Sequence, residues 1–265
     1  MNILYIGDIM AESGIKTVEK LLPTLRKSRN IDFVIAQGEN VSNGRSILEV
    51  DMKRLQKAGV DFFSGGNHTP ERTGIAEFLL DERQPIIGPA NLISCPGKGY
   101  KIVDSSSGKI LVASILGDTF SSKKSPEIDH PLHTIDRILK EVEGMNLVAK
   151  VVNFHGDYSS QKKMFGHYLD GRVTAVIGDH WHIPTADAHV LDGGTAYITD
   201  VGMCGSRDSS LGMSFDGLIQ KWSTDWKDKR IKTGYETEGV MQLCSVLVSV
   251  KNVLATSVEQ VILLS

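Results

Sequence analysis

The chain has 265 residues and a formal net charge of −3. This length can bury a large core without requiring a second domain, so we expect residues 1–265 to form a single domain. The small negative charge gives no chain-wide basic field, which disfavours unselective binding to nucleic acid. A small anionic substrate would therefore need positive charge placed locally.

The cysteines argue against a disulfide-bonded or zinc-stabilised protein, and the apolar runs argue against a secreted or membrane-spanning one. Cys95, Cys204 and Cys244 are odd in number, widely spaced and outside any CxxC motif, which argues against a disulfide framework or a structural zinc site. The start MNILYIGDIM has no basic region before its apolar run, and no stretch reaches the roughly 20 apolar residues that span a bilayer. We expect reduced thiols, a cytoplasmic location and no membrane partner.

The first third of the chain alternates short apolar runs with amphipathic segments. In chain order these are NILYI, a helix near residues 14–28, FVIA, a helix in ILEVDMKRLQKAG, VDFFSGG and a helix around 73–82. The order is βαβαβ, and continuous Ile, Val and Phe runs are typical of parallel strands buried on both faces.

The remainder adds a hairpin, more buried strands and a polar stretch. KIVD and KILVASIL flank SSSG and predict the hairpin, whereas LVAKVVNFHG, VTAVIGDHWH and TAYITDVGM predict later strands, with helices in HTIDRILKEVE and SSQKKMFGHYL. Residues 205–235 are polar and poorly periodic, so we expect a mobile loop there. Residues 240–265 predict a strand pair that closes a sheet edge.

Polar residues that can bind metal recur directly after the predicted strands. Open α/β sheets place their ligands at this edge, and a preceding Gly lets the backbone turn sharply and approach a ligand. If the strands are neighbours, the side chains converge on one rim. The residues are Asp8, Glu39, Asn40, Asn67, His68, His155, His180 and His182.

Each of these residues also has an ordinary structural interpretation. Asp8 could cap the following helix, and Glu39–Asn40 could stabilise a turn. Gly66–Asn67 could be a left-handed loop, and His155 could be a hydrogen-bonded structural residue. A structural explanation must, however, place five unrelated caps and turns after five apolar strands, so the set together favours a functional site.

The ligand types indicate the class of metal. Imidazole, carboxylate and carboxamide without thiolate favour Fe or Mn, with Zn as an alternative. One carboxylate that bridges, with about three ligands on each side, describes two ions about 3.5–4 Å apart. In extended backbone, His180 and His182 would share a face and address one centre or two adjacent ions.

The motifs GDIM, GEN, GGNH, NFHG and GDHWHIPTAD resemble, in order and spacing, those of the calcineurin-like metallophosphoesterases, and most of all their bacterial YmdB-like branch. The resemblance runs from residue 1 to about residue 215 and continues more weakly beyond it. It implies an α/β sandwich of two mixed β-sheets flanked by α-helices. It also implies hydrolysis of phosphodiesters, with 2',3'-cyclic or 3',5'-cyclic nucleotides as the suggested substrates.

The resemblance also implies a role for each site residue. Asp8, Glu39, Asn40 and His182 would hold the first metal; Asn67, His155 and His180 would hold the second, with Glu39 bridging. His68 would be the general acid, although it could instead merely orient Asn67 or Asp8. Two cations can lower the pKa of a bridging water toward neutrality, and a protonated imidazole can assist the basic leaving group by roughly 10²–10⁴-fold.

Some positions depart from the family pattern. The metal ligands are kept, but the residues that surround them differ from those of the family. Asp179 and Trp181 stand in GDHWH, and Gly156–Asp157 follows His155. We expect Trp181 to pack rather than to stack on substrate, and Asp157 either to hold a ligand imidazole or to cap the next helix. Pro70 replaces a common aromatic residue, which puts substrate specificity in doubt.

The remaining histidines and Arg207 are weaker candidates for the site. We expect four histidines to be structural: His130, His133, His167 and His189. Arg207 could clamp a phosphate, but a lone arginine in a polar loop is more often solvated.

The leading hypothesis is a dinuclear metal-dependent phosphodiesterase. One alternative is a metal-binding regulatory or scaffold protein with weak or no turnover; another is a phosphomonoesterase or nuclease on the same site, with RNA as a substrate. The apolar C-terminal strands could close the protomer's own sheet or build the interface of a homo-oligomer.

Overall fold

The computed structural model describes residues 1–119, 126–224 and 233–265. Its strands are β1 Asn2–Ile6, β2 Asp8–Ile9, β3 Phe33–Gln37, β4 Phe62–Ser64, β5 Tyr100–Ser105, β6 Gly108–Leu116, β7 Leu147–His155, β8 Ala175–Asp179, β9 His189–Val190, β10 Ala196–Ile198, β11 Met203–Ser206, β12 Met241–Lys251 and β13 Leu254–Leu264. Its α-helices are α1 Ala11–Ser28, α2 Glu49–Ala58, α3 Ile75–Leu80, α4 Pro131–Glu141, α5 Ser159–Tyr168 and α6 Phe215–Thr224.

The first sheet combines the parallel N-terminal strands with the antiparallel C-terminal pair. β1, β3 and β4 are parallel neighbours, joined by α1 and α2 as the βαβαβ order predicts. β12 runs antiparallel to β1 on one side and to β13 on the other, and β11 and β2 extend the sheet beside the end of β12. The C-terminal hairpin is thus part of the same sheet as the N-terminus.

The second sheet has the strand order β5-β6-β7-β8-β10-β9. β5 and β6 form the predicted antiparallel hairpin, and β6, β7, β8 and β10 run parallel. β9 pairs antiparallel with β10. Both sheets are mixed, as the resemblance implied.

The core has three layers because alternate residues of each strand face opposite sides. In β1, Ile3 and Tyr5 face the second sheet, whereas Leu4 and Ile6 pack in the core that α1 and α2 cover. Helices α4 and α5 cover the outer face of the second sheet. The arrangement is the predicted α/β sandwich of two mixed sheets flanked by helices.

Several element boundaries differ from the predictions. α1 begins at Ala11, before residue 14, and α3 is shorter than the predicted 73–82. The stretch 205–235 is not loop throughout, because it contains the end of β11 and helix α6; its residues 225–232 lie outside the described residues. The mobility of this stretch and the single-domain organisation stay predictions. In the part of the chain that the structure describes, no helix is long and apolar enough to cross a membrane.

Candidate metal centre

The predicted site residues meet where strands of both sheets end. Asp8 lies in β2, Glu39 and Asn67 follow β3 and β4 of the first sheet, and His155 ends β7 of the second. His180 and His182 follow β8 of the same second sheet. Parallel strands present their carboxyl ends at one edge, which is why residues far apart in sequence converge here.

One half of the site contains Glu39, Asn67, His155 and His180. The Nε2 of His155 lies 3.1 Å from Glu39 Oε1 and 3.0 Å from Asn67 Oδ1. The rings of His155 and His180 are 4.5 Å apart between centroids. Glu39, His155 and His180 each offer a ligand atom within 4.8 Å of the others, so this group could hold a metal ion.

The other half contains Asp8 and His182, with Asn40 next in the chain to Glu39. The Nε2 of His182 lies 3.8 Å from Asp8 Oδ1, and the other oxygen of Asp8 accepts a hydrogen bond from the His180 backbone N–H at 3.2 Å. Asp8 does not cap α1, because that helix begins after Met10. Asn40 does stabilise a turn, since its amide donates to the Gly44 carbonyl at 3.0 Å.

Unpaired buried atoms test whether this site fits a metal. Among the described residues, the buried side-chain nitrogen and oxygen atoms without a hydrogen-bond partner are Asp8 Oδ1, Asn40 Oδ1 and His182 Nδ1. Buried polar atoms are normally satisfied, so unpaired ones need an explanation. All three belong to the residues predicted to hold the first metal, and together they form an oxygen- and nitrogen-donor set typical of Fe, Mn or Zn. The residues therefore fit a bound cation.

The charges of the site also fit a cation. Burial and the nearby Asp179 carboxylate raise the pKa of Asp8 well above its usual range. Burial lowers the pKa of His182, and burial together with charged His155 lowers that of His180 to about 4. Both imidazoles are therefore neutral near pH 7, which is the form that binds metal.

Glu39 and His155 form an ion pair in the middle of the site. Burial raises the pKa of Glu39, but the charge of His155 outweighs burial and the pKa is lowered. Burial lowers the pKa of His155, but Glu39 and Asp179 outweigh it and raise this pKa well above its ordinary value. These two carboxylates therefore favour a positive charge on His155.

Two glycines near the site, Gly66 in a loop and Gly178 in β8, are required by close approach rather than by sharp turns. A Cβ on Gly66 would lie 2.4 Å from Glu39 Oε2 and 2.5 Å from His155 Nε2. A Cβ on Gly178 would lie 1.9 Å from the Thr199 carbonyl oxygen. Neither glycine has a positive φ, and neither does Asn67, so the left-handed loop considered for Gly66–Asn67 is wrong.

His180 and His182 do not lie in extended backbone, contrary to the prediction. They adopt φ values of 98° and 63°, in the left-handed region. Such a conformation costs of order 1–3 kcal/mol for each non-glycine residue and persists only where the surroundings hold it. Trp181 between them packs as predicted, with Lys162 Nζ 4.2 Å from its ring centroid and its indole N–H donating to the Asp157 carbonyl at 3.0 Å.

Asp179 is a buried acceptor for several donors, a role that the sequence did not reveal. Its oxygens accept hydrogen bonds from His155 Nδ1 at 2.7 Å, Asn153 at 2.6 Å, Tyr5 at 2.8 Å and Gln37 at 2.9 Å. The bond to His155 fixes the ring and leaves Nε2 facing Glu39 and Asn67. One signal was present: polar residues inside apolar strands must find buried partners.

His68 lies beside the ion pair. Its backbone N–H donates to Glu39 Oε2 at 2.8 Å, and its Nδ1 lies 2.7 Å from Glu71 Oε1. Glu71 in turn pairs with Arg45 at 2.7 Å. The His68 side chain is 29% exposed, so it is accessible to a ligand from solvent.

Of the two interpretations of Asp157, the contact with an imidazole is the one seen. Its Oδ1 lies 3.3 Å from His180 Nε2, whereas α5 begins after Tyr158 without a side-chain cap. Pro70 lies in a short 3-10 helix, Thr69–Glu71.

The remaining candidates lie in structural or surface contexts. His130 precedes α4 and stacks on His133, His167 lies in α5, and His189 is an exposed residue of β9. Arg207 is about half exposed and contacts Asp208.

Solved structures share this fold along the whole chain. A hypothetical protein from Thermus thermophilus superposes with a TM-score of 0.88 at 30% identity, covering 100% of both chains. A novel phosphatase from Mycoplasma pneumoniae superposes with a TM-score of 0.86 at 24% identity, covering 100% of this chain and 93% of that one. The chain thus belongs to the class of two-sheet α/β sandwich proteins that both solved structures represent.

The sequence comparison gives the family within that class. The family model described as YmdB-like protein matches residues 4–261, and the chain belongs to this family. A relative from Bacillus subtilis (strain 168), named 2',3'-cyclic-nucleotide 2'-phosphodiesterase, is 35% identical over 226 residues. The match covers 85% of this chain and 83% of the relative.

Proposed function

We propose that the protein is a metal-dependent phosphodiesterase that hydrolyses small phosphate diesters at the rim described above. The observation that carries the proposal concerns buried atoms beside the group of Glu39, His155 and His180. Among the described residues, three buried side-chain oxygen and nitrogen atoms that could bind a metal have no hydrogen-bond partner. Cations at these positions would satisfy those atoms and neutralise the buried carboxylates.

The substrate class follows from the family and from the name of the Bacillus subtilis relative. We infer that 2',3'-cyclic nucleotides are substrates. The alternative substrates are 3',5'-cyclic nucleotides and RNA. We also propose a cytoplasmic location and assembly into a homo-oligomer.

The ligands divide between two ions. Asp8, Glu39, Asn40 and His182 would hold the first, and Asn67, His155 and His180 would hold the second, with Glu39 shared. Fe or Mn is favoured by the nitrogen and oxygen ligands, and Zn is the alternative. When bound, the ions supply the activation of water and neutralise charge that develops on the phosphate oxygens.

The protein's own groups supply orientation and a proton. Asp179 holds His155 through Nδ1, and Asp157 lies against His180, so both imidazoles have fixed orientations. Glu71 holds His68 through Nδ1, which leaves Nε2 to carry the proton for the leaving oxygen. His68 is thus the proposed general acid, a role worth roughly 10²–10⁴-fold in rate.

Two variants test the proposal directly. Protein loaded with Mn²⁺ or Fe is expected to hydrolyse bis(p-nitrophenyl) phosphate and 2',3'-cyclic nucleotides, and Asn67→Ala and His180→Ala are expected to abolish both activities. His189→Ala is the matched control, because His189 is exposed and its Nδ1 lies 2.7 Å from the Asp187 carbonyl oxygen rather than at the rim. Full turnover in both Asn67→Ala and His180→Ala would contradict the proposal.

A scaffold function is the second candidate. Helix α6 has no buried residue, and it exposes Phe215, Ile219 and Trp222, which is an apolar surface typical of a contact site. Negligible turnover on every diester at full metal occupancy would favour this function. Rates on p-nitrophenyl phosphate, cyclic mononucleotides and short RNA separate a phosphodiesterase from a phosphomonoesterase or nuclease.

A further inference from the structure

A buried ion pair lies directly behind the turn that carries His180 and His182. Lys162 on α5 is 1% exposed, Asp200 after β10 is fully buried, and Lys162 Nζ lies 2.8 Å from Asp200 Oδ2. Neither residue belongs to the metal ligands proposed above. Their charges need a reason, because fully buried charges are rare unless they are paired.

The pair contacts the chain on both sides of His180. Lys162 Nζ donates to the Asp179 carbonyl at 2.6 Å and lies over the Trp181 ring. Asp200 Oδ2 accepts from the Trp181 backbone N–H at 2.9 Å. The carbonyl before His180 and the amide after it are therefore both bound by this one ion pair.

Asp200 is itself held in place from several directions. Its Oδ1 accepts from the Gly202 N–H at 2.9 Å, and its backbone exchanges hydrogen bonds of 2.9 Å with Thr185. Lys162 is fixed on α5, whose Phe165 packs in the core between the second sheet and its covering helices. The pair is therefore a rigid support rather than a mobile surface contact.

The turn requires such a support because its two histidines lie in the left-handed region. Left-handed non-glycine residues persist only where their surroundings determine the backbone conformation. A buried ion pair adds little stability compared with apolar residues of the same volume. Its contacts here suit a different role, the fixing of a backbone conformation.

We propose that Lys162 and Asp200 form a positioning pair that holds the His180–His182 turn so that both imidazoles face the metal ions. The inference rests on the proposed function, because it concerns the same centre. The pair touches neither ligand imidazole, and it acts through the backbone of Asp179 and Trp181. Because His180 and His182 belong to different ion positions, loss of the pair weakens binding of both ions.

The test is Mn²⁺ binding to the metal-free protein, followed by the electron paramagnetic resonance signal of free Mn²⁺. Lys162→Met leaves a buried, unpaired Asp200, so the main variant is Lys162→Met with Asp200→Asn, which removes both charges together. Asp200→Asn alone removes the carboxylate partner of Lys162, but it keeps an oxygen acceptor for the Trp181 N–H and leaves Lys162 bonded to the Asp179 carbonyl, so it is measured in parallel. Lys163→Met is the matched control, because Lys163 is the next residue of α5 but is about half exposed and contacts Asp187 at 3.4 Å.

The double variant is expected to bind both ions about 10–100-fold more weakly, with a smaller loss in Asp200→Asn. Lys163→Met is expected to bind like the unmodified protein. The urea midpoint of each variant is measured as well, since a purely structural role would lower the midpoint and leave the affinity of the folded fraction unchanged. Unchanged affinity in the folded double variant, or in folded Asp200→Asn if the double variant does not fold, overturns the inference. Absence of Mn²⁺ binding by the unmodified protein would instead contradict the proposed function.

Discussion

Gly66 is the residue whose side chain would intrude most directly on the proposed centre. The added methyl group of Gly66→Ala would lie within 2.5 Å of both Glu39 and His155, so one of these ligands must move. A displacement of about 1 Å at a reacting centre costs roughly 10²-fold in rate. We expect Gly66→Ala to lower phosphodiesterase activity by that order, measured by initial rates at saturating Mn²⁺.

The control for this substitution is Gly234→Ala. No atom of the residues that the structure describes lies within 4 Å of a methyl group added at Gly234, and Gly234 has no positive φ, so the rate should be unchanged. Full activity of Gly66→Ala would show that Glu39 and His155 do not act as proposed.

The role of His68 is separable from orientation by changing the leaving group. A general acid matters for the strongly basic leaving oxygen of a cyclic nucleotide and little for p-nitrophenolate, which leaves without a proton. We therefore expect His68→Asn to slow hydrolysis of 2',3'-cyclic nucleotides by roughly 10²–10⁴-fold and that of bis(p-nitrophenyl) phosphate far less. Equal losses on both substrates would assign His68 to orientation of Asn67 or Asp8.

The contrast between His180 and Asp179 shows what the sequence could predict at this scale. His180 was predicted because metal-binding types recur after strands, a pattern that is visible along the chain. Asp179 directly precedes it, yet its role depends on donors from Tyr5, Gln37 and Asn153, which only the packing of two sheets brings together. The left-handed backbone of His180 also could not be predicted from the periodicity of the sequence, since strand patterns assume extended backbone.

The β12–β13 hairpin contains a strained turn of its own. Asn252 and Val253 form its two-residue connection with φ values of 53° and 69°. Turns of this kind favour Asn followed by Gly, and a β-branched residue in the left-handed region is strained. We expect Val253→Gly to raise the free energy of unfolding by about 1 kcal/mol, measured by urea denaturation.

Asn252→Gly provides the comparison, because asparagine tolerates the left-handed region. Its effect on the free energy of unfolding should be only a few tenths of a kcal/mol. A larger gain for Asn252→Gly than for Val253→Gly would contradict the assignment of strain to Val253.

Strands were more predictable than the segment at 205–235. The apolar runs of β1, β3 and β4 predict burial, and the helices between these strands predict their parallel order. Helix α6 was missed because its Phe215, Ile219 and Trp222 face solvent and the surrounding polar residues mask their helical spacing. The insertion of β12 beside β1 also could not be read from local patterns, since it joins the two ends of the chain.

On the scale of the whole molecule, the proposed ligands join the two sheets. Asp8 lies in the first sheet, and Glu39 and Asn67 follow two of its strands. His155 ends a strand of the second sheet, and His180 follows the next one. Ions that bind only the folded state stabilise it by about 2.7 kcal/mol at a free concentration one hundred times Kd. We expect Mn²⁺ to raise the midpoint of thermal unfolding and a chelator to reverse the rise.

His155→Ala should reduce this stabilisation, because it removes a ligand from one side of the sandwich. His189→Ala serves as the control, and its response to Mn²⁺ should equal that of the unmodified protein. An equal rise of the midpoint in His155→Ala would place the Mn²⁺ elsewhere on the molecule.

The most direct test of the proposed two-metal centre is anomalous X-ray diffraction from crystals grown with Mn²⁺. Two peaks about 3.5–4 Å apart are expected, with Glu39 between them. One peak should lie against Asp8, Asn40 and His182, and the other against Asn67, His155 and His180. A rim without anomalous peaks at saturating Mn²⁺, or peaks bound only by other residues, would contradict the proposed centre.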